Sequence, residues 1–182
     1  MKFLITLAIL VGLAVPSLSR PAAQSANGDA ELKPLPEIRL QDFDGKPVKA
    51  ESLKASVYIF DFWATWCGPC LLEIPVWNQL QAKYGDQGLK VVGVTLASGE
   101  ASEVKPFVAK RNMKYTVLMG DDDQTYDLNV IGFPTTYVVT GDLKVFSKYV
   151  GTSARKAAKI EADVQEILKR KNTPTAKAAS DH

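Results

Sequence analysis

Sulfur is scarce in this chain of 182 residues: Cys67 and Cys70 are its two cysteines, and histidine occurs once, at the final position. A disulfide-stapled scaffold needs several bridges. A structural zinc site needs four ligands, which one Cys-x-x-Cys pair and His182 do not supply. Charge of one sign is also in short supply. Twenty-two basic residues against 20 acidic ones leave a formal net charge of +2, with no basic stripe carrying interleaved aromatics, so a nucleic-acid partner is not expected. No internal repeat is visible. What the chain does have is apolar content, 46% of its residues, which suits one domain with a real core.

The first apolar run, Phe3 to Val15, follows Lys2 and precedes Ser17-Leu18-Ser19. A helix of that length spans about 20 Å, short of the roughly 30 Å of bilayer hydrocarbon. The pattern is that of an export leader over residues 1–19, cleaved near Arg20, with an uncleaved anchor as the alternative. No cysteine lies near this run to carry a lipid. Residues 20–33 lack periodicity and read as a flexible lead-in, 34–171 as the folded domain, and 172–182 as a disordered tail. An exported chain with one Cys-x-x-Cys pair is better fitted to sulfur exchange than to stapling.

That pair sits where an apolar run ends and a helical pattern begins. Val57-Tyr58-Ile59-Phe60-Asp61-Phe62-Trp63 is rich in β-branched and aromatic residues and reads as a buried strand. The following Trp66-Cys67-Gly68-Pro69-Cys70 places proline in a helix's first turn, where its missing N–H costs nothing. Cys67 then lies at the positive, amide-rich end of that helix, which favours its thiolate and makes it the candidate nucleophile. Cys70, three residues on, shares its face and is placed to resolve a mixed disulfide. Two alternatives remain. A purely structural bridge would close a four-residue loop, worth about 2 kcal/mol against about 4.7 for a 100-residue loop; the other is a degenerate motif kept for packing.

The rest of the chain alternates. Ile38 to Val48 reads as a short hairpin around Asp44-Gly45, and Ala50 to Lys54 as a helical turn. The helix from Gly68 should reach Tyr84, kinked at Pro75. Leu89–Leu96 reads as a strand, Glu100–Arg111 as a helix bent at Pro106, and Tyr115–Met119 as a strand. Within Asp121-Asp122-Asp123 one acid is expected to cap a short helix, with a calcium site as the alternative. A strand over Tyr137–Thr140 should form a hairpin with Lys144–Val150. Ser153 is placed to cap a last amphipathic helix ending at Lys169-Arg170-Lys171. Asp61 interrupts an otherwise apolar strand. A buried carboxylate is costly unless its pKa rises, so it could hold and pass a proton near neutral pH; the alternative is a hydrated acid.

The segment Asp61 to Cys70 is similar to the active-site segment of thioredoxin. With the hairpin-like lead, the Leu71-Leu72-Glu73-Ile74-Pro75 continuation and the Gly132-Phe133-Pro134-Thr135-Thr136 stretch, the chain resembles the TlpA/ResA branch of that superfamily over residues 34–170. The resemblance implies an α/β thioredoxin-like fold, a central mixed sheet flanked by helices with an N-terminal β-hairpin extension. It implies that Phe133-Pro134 is a cis peptide facing the sulfurs, that the edge before Pro134 pairs with substrate backbone, and that Trp66 flanks the exposed sulfur. It also implies that Asp61 assists Cys70 and that Glu73 tunes the thiols. For Trp66 and Phe133 the plain alternative is packing, for Pro134 a trans turn, and for Glu73 a surface acid. Two departures stand out: the strand Val91 to Thr95 lacks the lysine that thioredoxin carries near its aspartate, and Phe133 is bulkier than is usual there.

The expected activity is thus that of an exported protein-disulfide reductase. A membrane thiol donor recharges it, and apocytochrome c or another exported disulfide protein is its substrate. It should work as a monomer without bound cofactor or metal. The Gly-Pro pair resembles reducing thioredoxin, at about −270 mV, more than the oxidant DsbA at about −120 mV. A peroxiredoxin-like thiol peroxidase is the rival enzyme, although Phe60 and Ala64 stand where that family's P-x-x-x-[ST]-x-x-C pattern has proline and a hydroxyl. A redox-inactive binding or chaperone module is the non-enzymatic rival.

Overall fold

In a computed structural model that describes residues 32–172, the run expected as the central strand is central. The strands are β1 (Leu40–Gln41), β2 (Pro47–Val48), β3 (Val57–Trp63), β4 (Leu89–Thr95), β5 (Thr116–Gly120), β6 (Thr135–Thr140) and β7 (Val145–Val150). The helices are α1 (Gly68–Tyr84), α2 (Ala101–Lys110) and α3 (Ala154–Asn172). One mixed sheet contains all seven strands in the order β2-β1-β5-β4-β3-β6-β7. β3 runs parallel to β4 and antiparallel to β6, so its backbone is paired on both sides and every one of its residues is buried. The thioredoxin-like architecture with its N-terminal hairpin is present. The expected leader and most of the lead-in lie outside the described residues, as does the tail beyond Asn172.

Strand periodicity sorts β3 onto two cores. Val57, Ile59 and Trp63 face Ile74, Trp77 and Leu80 of α1 and Ile160, Val164 and Ile167 of α3. Tyr58, Phe60 and Phe62 face away, against Ile38, Leu40, Leu128 and Val130. Asp61 has the parity of the first set, so it points under α1 and α3.

Boundaries follow the expected punctuation. α1 begins at Gly68, ends at Tyr84 and contains Pro75 within one continuous helix. Pro106 likewise lies inside α2. Asp121 caps the short turn Asp122–Thr125, its carboxylate accepting from Asp123 N. Ser153 Oγ accepts from Lys156 N at 3.1 Å and so caps α3. β6 starts two residues earlier than expected, because Thr135 and Thr136 pair with Phe62 and Asp61 of β3.

Candidate active site

The reactive segment is a turn from sheet to helix. Cys67 is the N-cap of α1, in extended backbone, and its Sγ accepts from Cys70 N at 3.2 Å. Sulfur therefore does what a capping hydroxyl does elsewhere, satisfying one of the amides that a helix start leaves without partners. A thiolate at this position keeps that hydrogen bond and gains from the dipole. Cys67 and Cys70 are joined as a disulfide, their Cα atoms 5.3 Å apart. Both are buried, at 4% and 2% exposure.

The loop after β4 steadies this turn. Ser98 Oγ accepts from Thr65 N at 2.9 Å, and Ala97 O accepts from Trp66 Nε1 at 2.7 Å. Ala97 itself sits in the left-handed region, at φ 48°, and its N–H donates to Asp122 Oδ1 at 2.7 Å. Trp66 is thus fixed at its polar edge while its ring stays 66% exposed.

A groove of about 640 Å³ opens over the disulfide, lined by Trp66, Cys67, Pro69, Val130, Ile131 and Phe133 among others. Trp66 and Phe133 meet edge to face with centroids 5.7 Å apart, forming one apolar wall. Ile131 is 79% exposed beside them. The Phe133-Pro134 peptide is cis, as the resemblance implied, and Pro134 is buried at the entry to β6.

A second group of side chains is a cluster of buried charge, Asp61, Glu73 and Lys156. Asp61 Oδ1 accepts from Thr136 Oγ1 at 2.7 Å and Oδ2 from Trp77 Nε1 at 3.0 Å. The first bond follows from register, since Asp61 stands opposite Thr136 on β6. On its other side Asp61 stands opposite Gly93 of β4, where a Cβ would come within 3.1 Å of both Trp63 and Tyr115. Burial pushes the Asp61 carboxyl up to about 7, against the pull of Lys156 and the two hydrogen bonds and with a further push from Glu73. The same burial raises the Tyr115 hydroxyl, helped by the negative charge of Asp61 and Glu73.

Glu73 is buried, not a surface acid, and its Oε2 lies 2.9 Å from Lys156 Nζ. Lys156 is itself only 4% exposed, and its ammonium stands 5.7 Å from the centre of the Trp77 ring. The lysine that the strand after α1 does not provide therefore arrives from α3, at a position that sequence reasoning passed over. One signal was available. Lys156, Ile160, Val164 and Ile167 fall at helical spacing, and the last three are core residues, so a lysine at the head of that stripe must be buried with them.

Cys67, Trp66 and Phe133 come together at the groove; Asp61, Glu73 and Lys156 come together in the buried cluster. Phe60 and Ala64, at the proline and hydroxyl positions of the peroxiredoxin pattern, are both fully buried and offer no polar group to a peroxide. Among the described residues no group of three or more His, Cys, Asp or Glu side chains is placed to hold a metal ion, and no helix is long and apolar enough to cross a membrane.

Residues 30–167 match the Redoxin family. The chain is 30% identical to the thioredoxin-like protein YneN of Bacillus subtilis over 162 residues, 88% of this chain and 95% of that one. It is 29% identical to the thiol-disulfide oxidoreductase ResA of Bacillus cereus over 136 residues, 74% and 77% of the two chains. Among solved structures, it is similar to a candidate thiol:disulfide interchange protein DsbE from Chlorobium tepidum. The TM-score there is 0.67 at 32% identity, covering 76% of this chain and 98% of that one.

Proposed function

The chain belongs to the Redoxin family, and on that premise we propose an exported thiol-disulfide oxidoreductase that reduces disulfides in extracytoplasmic proteins, apocytochrome c among them. The observation that carries the reading is Cys67 Sγ capping α1 at the floor of an apolar groove, already bonded to its partner Cys70. The thiolate of Cys67 attacks one sulfur of a substrate disulfide, forming a mixed disulfide and releasing the other sulfur as a thiolate. Cys70 then loses its proton to Asp61 and attacks Cys67, and the second substrate sulfur leaves. Two electrons have passed from the enzyme dithiol to the substrate, and the enzyme ends as the disulfide seen here.

Substrate binds across Trp66 and Phe133, its backbone laid along the segment before Pro134 as an added strand. The sulfurs carry both electrons themselves, so the reading calls for no bound cofactor or metal. A membrane dithiol donor restores the reduced pair, and the enzyme acts as a monomer. Export is supported by Lys2, the apolar run Phe3 to Val15 and Ser17-Leu18-Ser19.

The test replaces one sulfur at a time. Cys67→Ser abolishes turnover of a synthetic disulfide peptide, and Cys70→Ser accumulates the mixed disulfide on Cys67, read by mass. Equilibration of the wild-type pair against glutathione buffers gives a potential closer to about −270 mV than to about −120 mV. Wild-type protein that binds the peptide without turning it over supports the binding-module reading and overturns this one.

A further inference from the structure

The position of Lys156 is unfavourable on every local count. It lies in the first turn of α3, where the macrodipole disfavours a cation, and on the buried stripe of that helix. An ion pair in such a place contributes little net stability compared with apolar residues of the same volume. Ile160, Val164 and Ile167 on the same stripe show what packing alone selects. A basic group here needs a reason other than stability.

Its surroundings supply one. Two carboxyl groups occupy the same buried face, Glu73 from α1 and Asp61 from β3, and Lys156 contacts one of them. Glu73 has the ammonium at 2.9 Å; the direct partners of Asp61 are the neutral donors Thr136 and Trp77. Trp77 also links the halves, since its ring lies near the ammonium while its N–H bonds Asp61. The titratable groups bearing on Asp61 are Glu73 on α1, Lys156 on α3 and Tyr115 before β5. Gly93, opposite on β4, has no side chain.

We infer that Lys156 is a positioning residue of the exchange reaction: by holding Glu73 as an ion pair it leaves Asp61 as the acceptor for the proton that Cys70 gives up. This rests on the oxidoreductase reading above. Two nearby carboxylates without a counter-charge cannot both ionise readily and share a proton that neither releases easily. With Lys156 present, Glu73 has a counter-charge at 2.9 Å, and Asp61, held by the neutral donors Thr136 and Trp77, is the carboxyl left to exchange a proton. During resolution the Sγ–H bond of Cys70 breaks, the proton passes to the Asp61 carboxylate, and the new bond forms between Cys70 Sγ and Cys67 Sγ as the substrate sulfur departs.

The experiment is the pH profile of substrate release from the Cys67 mixed disulfide in single turnovers with a fluorescent disulfide peptide, in the full chain. Lys156→Met moves the midpoint of the rising limb upward. A shift of about one unit from about 7 cuts the ionised fraction of Asp61 at pH 7 from about one half to about one tenth. The rate at pH 7 therefore falls about fivefold and recovers near pH 9. Lys156→Arg keeps the cation and the wild-type midpoint. If Lys156→Met does not fold, Lys156→Gln, which can still donate a hydrogen bond to Glu73 but carries no positive charge, makes the same test and displaces the midpoint upward. A folded variant whose amplitude falls while its midpoint stays within about 0.3 unit of wild type assigns Lys156 to packing and overturns the inference. Failure of the underlying reading looks different: wild-type protein itself would then show no turnover dependent on the two thiols.

Discussion

Replacing Asp61 by Asn should make the oxidised protein more stable and less active, and the size of the first effect follows from its burial. The carboxyl titrates at 3.8 in an exposed setting and at about 7 in the folded chain. Between those values the unfolded chain has released its proton and the folded chain still holds it. The unfolded state then binds fewer protons, so stability falls as pH rises through this window and levels off above about 7. A gap of about three units at about 1.4 kcal/mol each amounts to about 4 kcal/mol. Asparagine stays neutral throughout and keeps both contacts, its oxygen accepting from Trp77 and its amide donating to the Thr136 hydroxyl. Guanidinium unfolding of both disulfide-bonded proteins from pH 4 to pH 8 reads the effect, because titrating groups that do not interact with Asp61 cancel in the difference. The variant should gain on wild type by about 4 kcal/mol across that range, while reductase turnover drops by about 10²-fold or more with the proton acceptor gone. A stability difference flat to within about 0.5 kcal/mol from pH 4 to pH 8 would place the Asp61 carboxyl below pH 4 in the folded chain and refute the burial argument.

Trp66→Ala removes one wall of the groove without touching the buried cluster. Steady-state kinetics on a disulfide peptide should show KM raised about tenfold, equivalent to about 1.4 kcal/mol, with kcat near wild type; a loss confined to kcat would count against a binding role for this ring. Ser153→Ala deletes the cap of α3 and should cost about 1 kcal/mol in denaturant unfolding. It should leave the midpoint of the pH profile in place, because the side chain of Lys156 keeps its partner.

The groove half of the site was legible because its chemistry is written over a few adjacent residues. A β-rich run ending in Cys-Gly-Pro-Cys states strand, turn and helix start at once, and the cap formed by Cys67 is the structural form of that statement. The cis peptide at Phe133-Pro134 was different. Nothing in its neighbours favours cis over trans, so it entered through resemblance alone and is confirmed by the backbone. The partners of Asp61 were not legible at all. Thr136 lies 75 residues away and reaches Asp61 through sheet register, which depends on β6 beginning two residues earlier than its apolar pattern indicates.

Lys156 shows why that half resists reading. It is separated from Glu73 by 83 residues, and scanning β4 for a lysine, as the resemblance directs, searches the wrong neighbour. The physical requirement is for a cation against one of two buried carboxyl groups, and a buried site accepts that cation from whichever element packs over it. Here α3 crosses the same face of β3 as α1, so a single basic residue at the head of an otherwise apolar stripe meets the requirement. Composition along one element therefore reveals such a residue only as an anomaly, a charge where the period demands an apolar side chain. Its meaning depends on which other anomalies share that face, and for Lys156 those are Asp61 and Glu73, each likewise a charged residue at a core position.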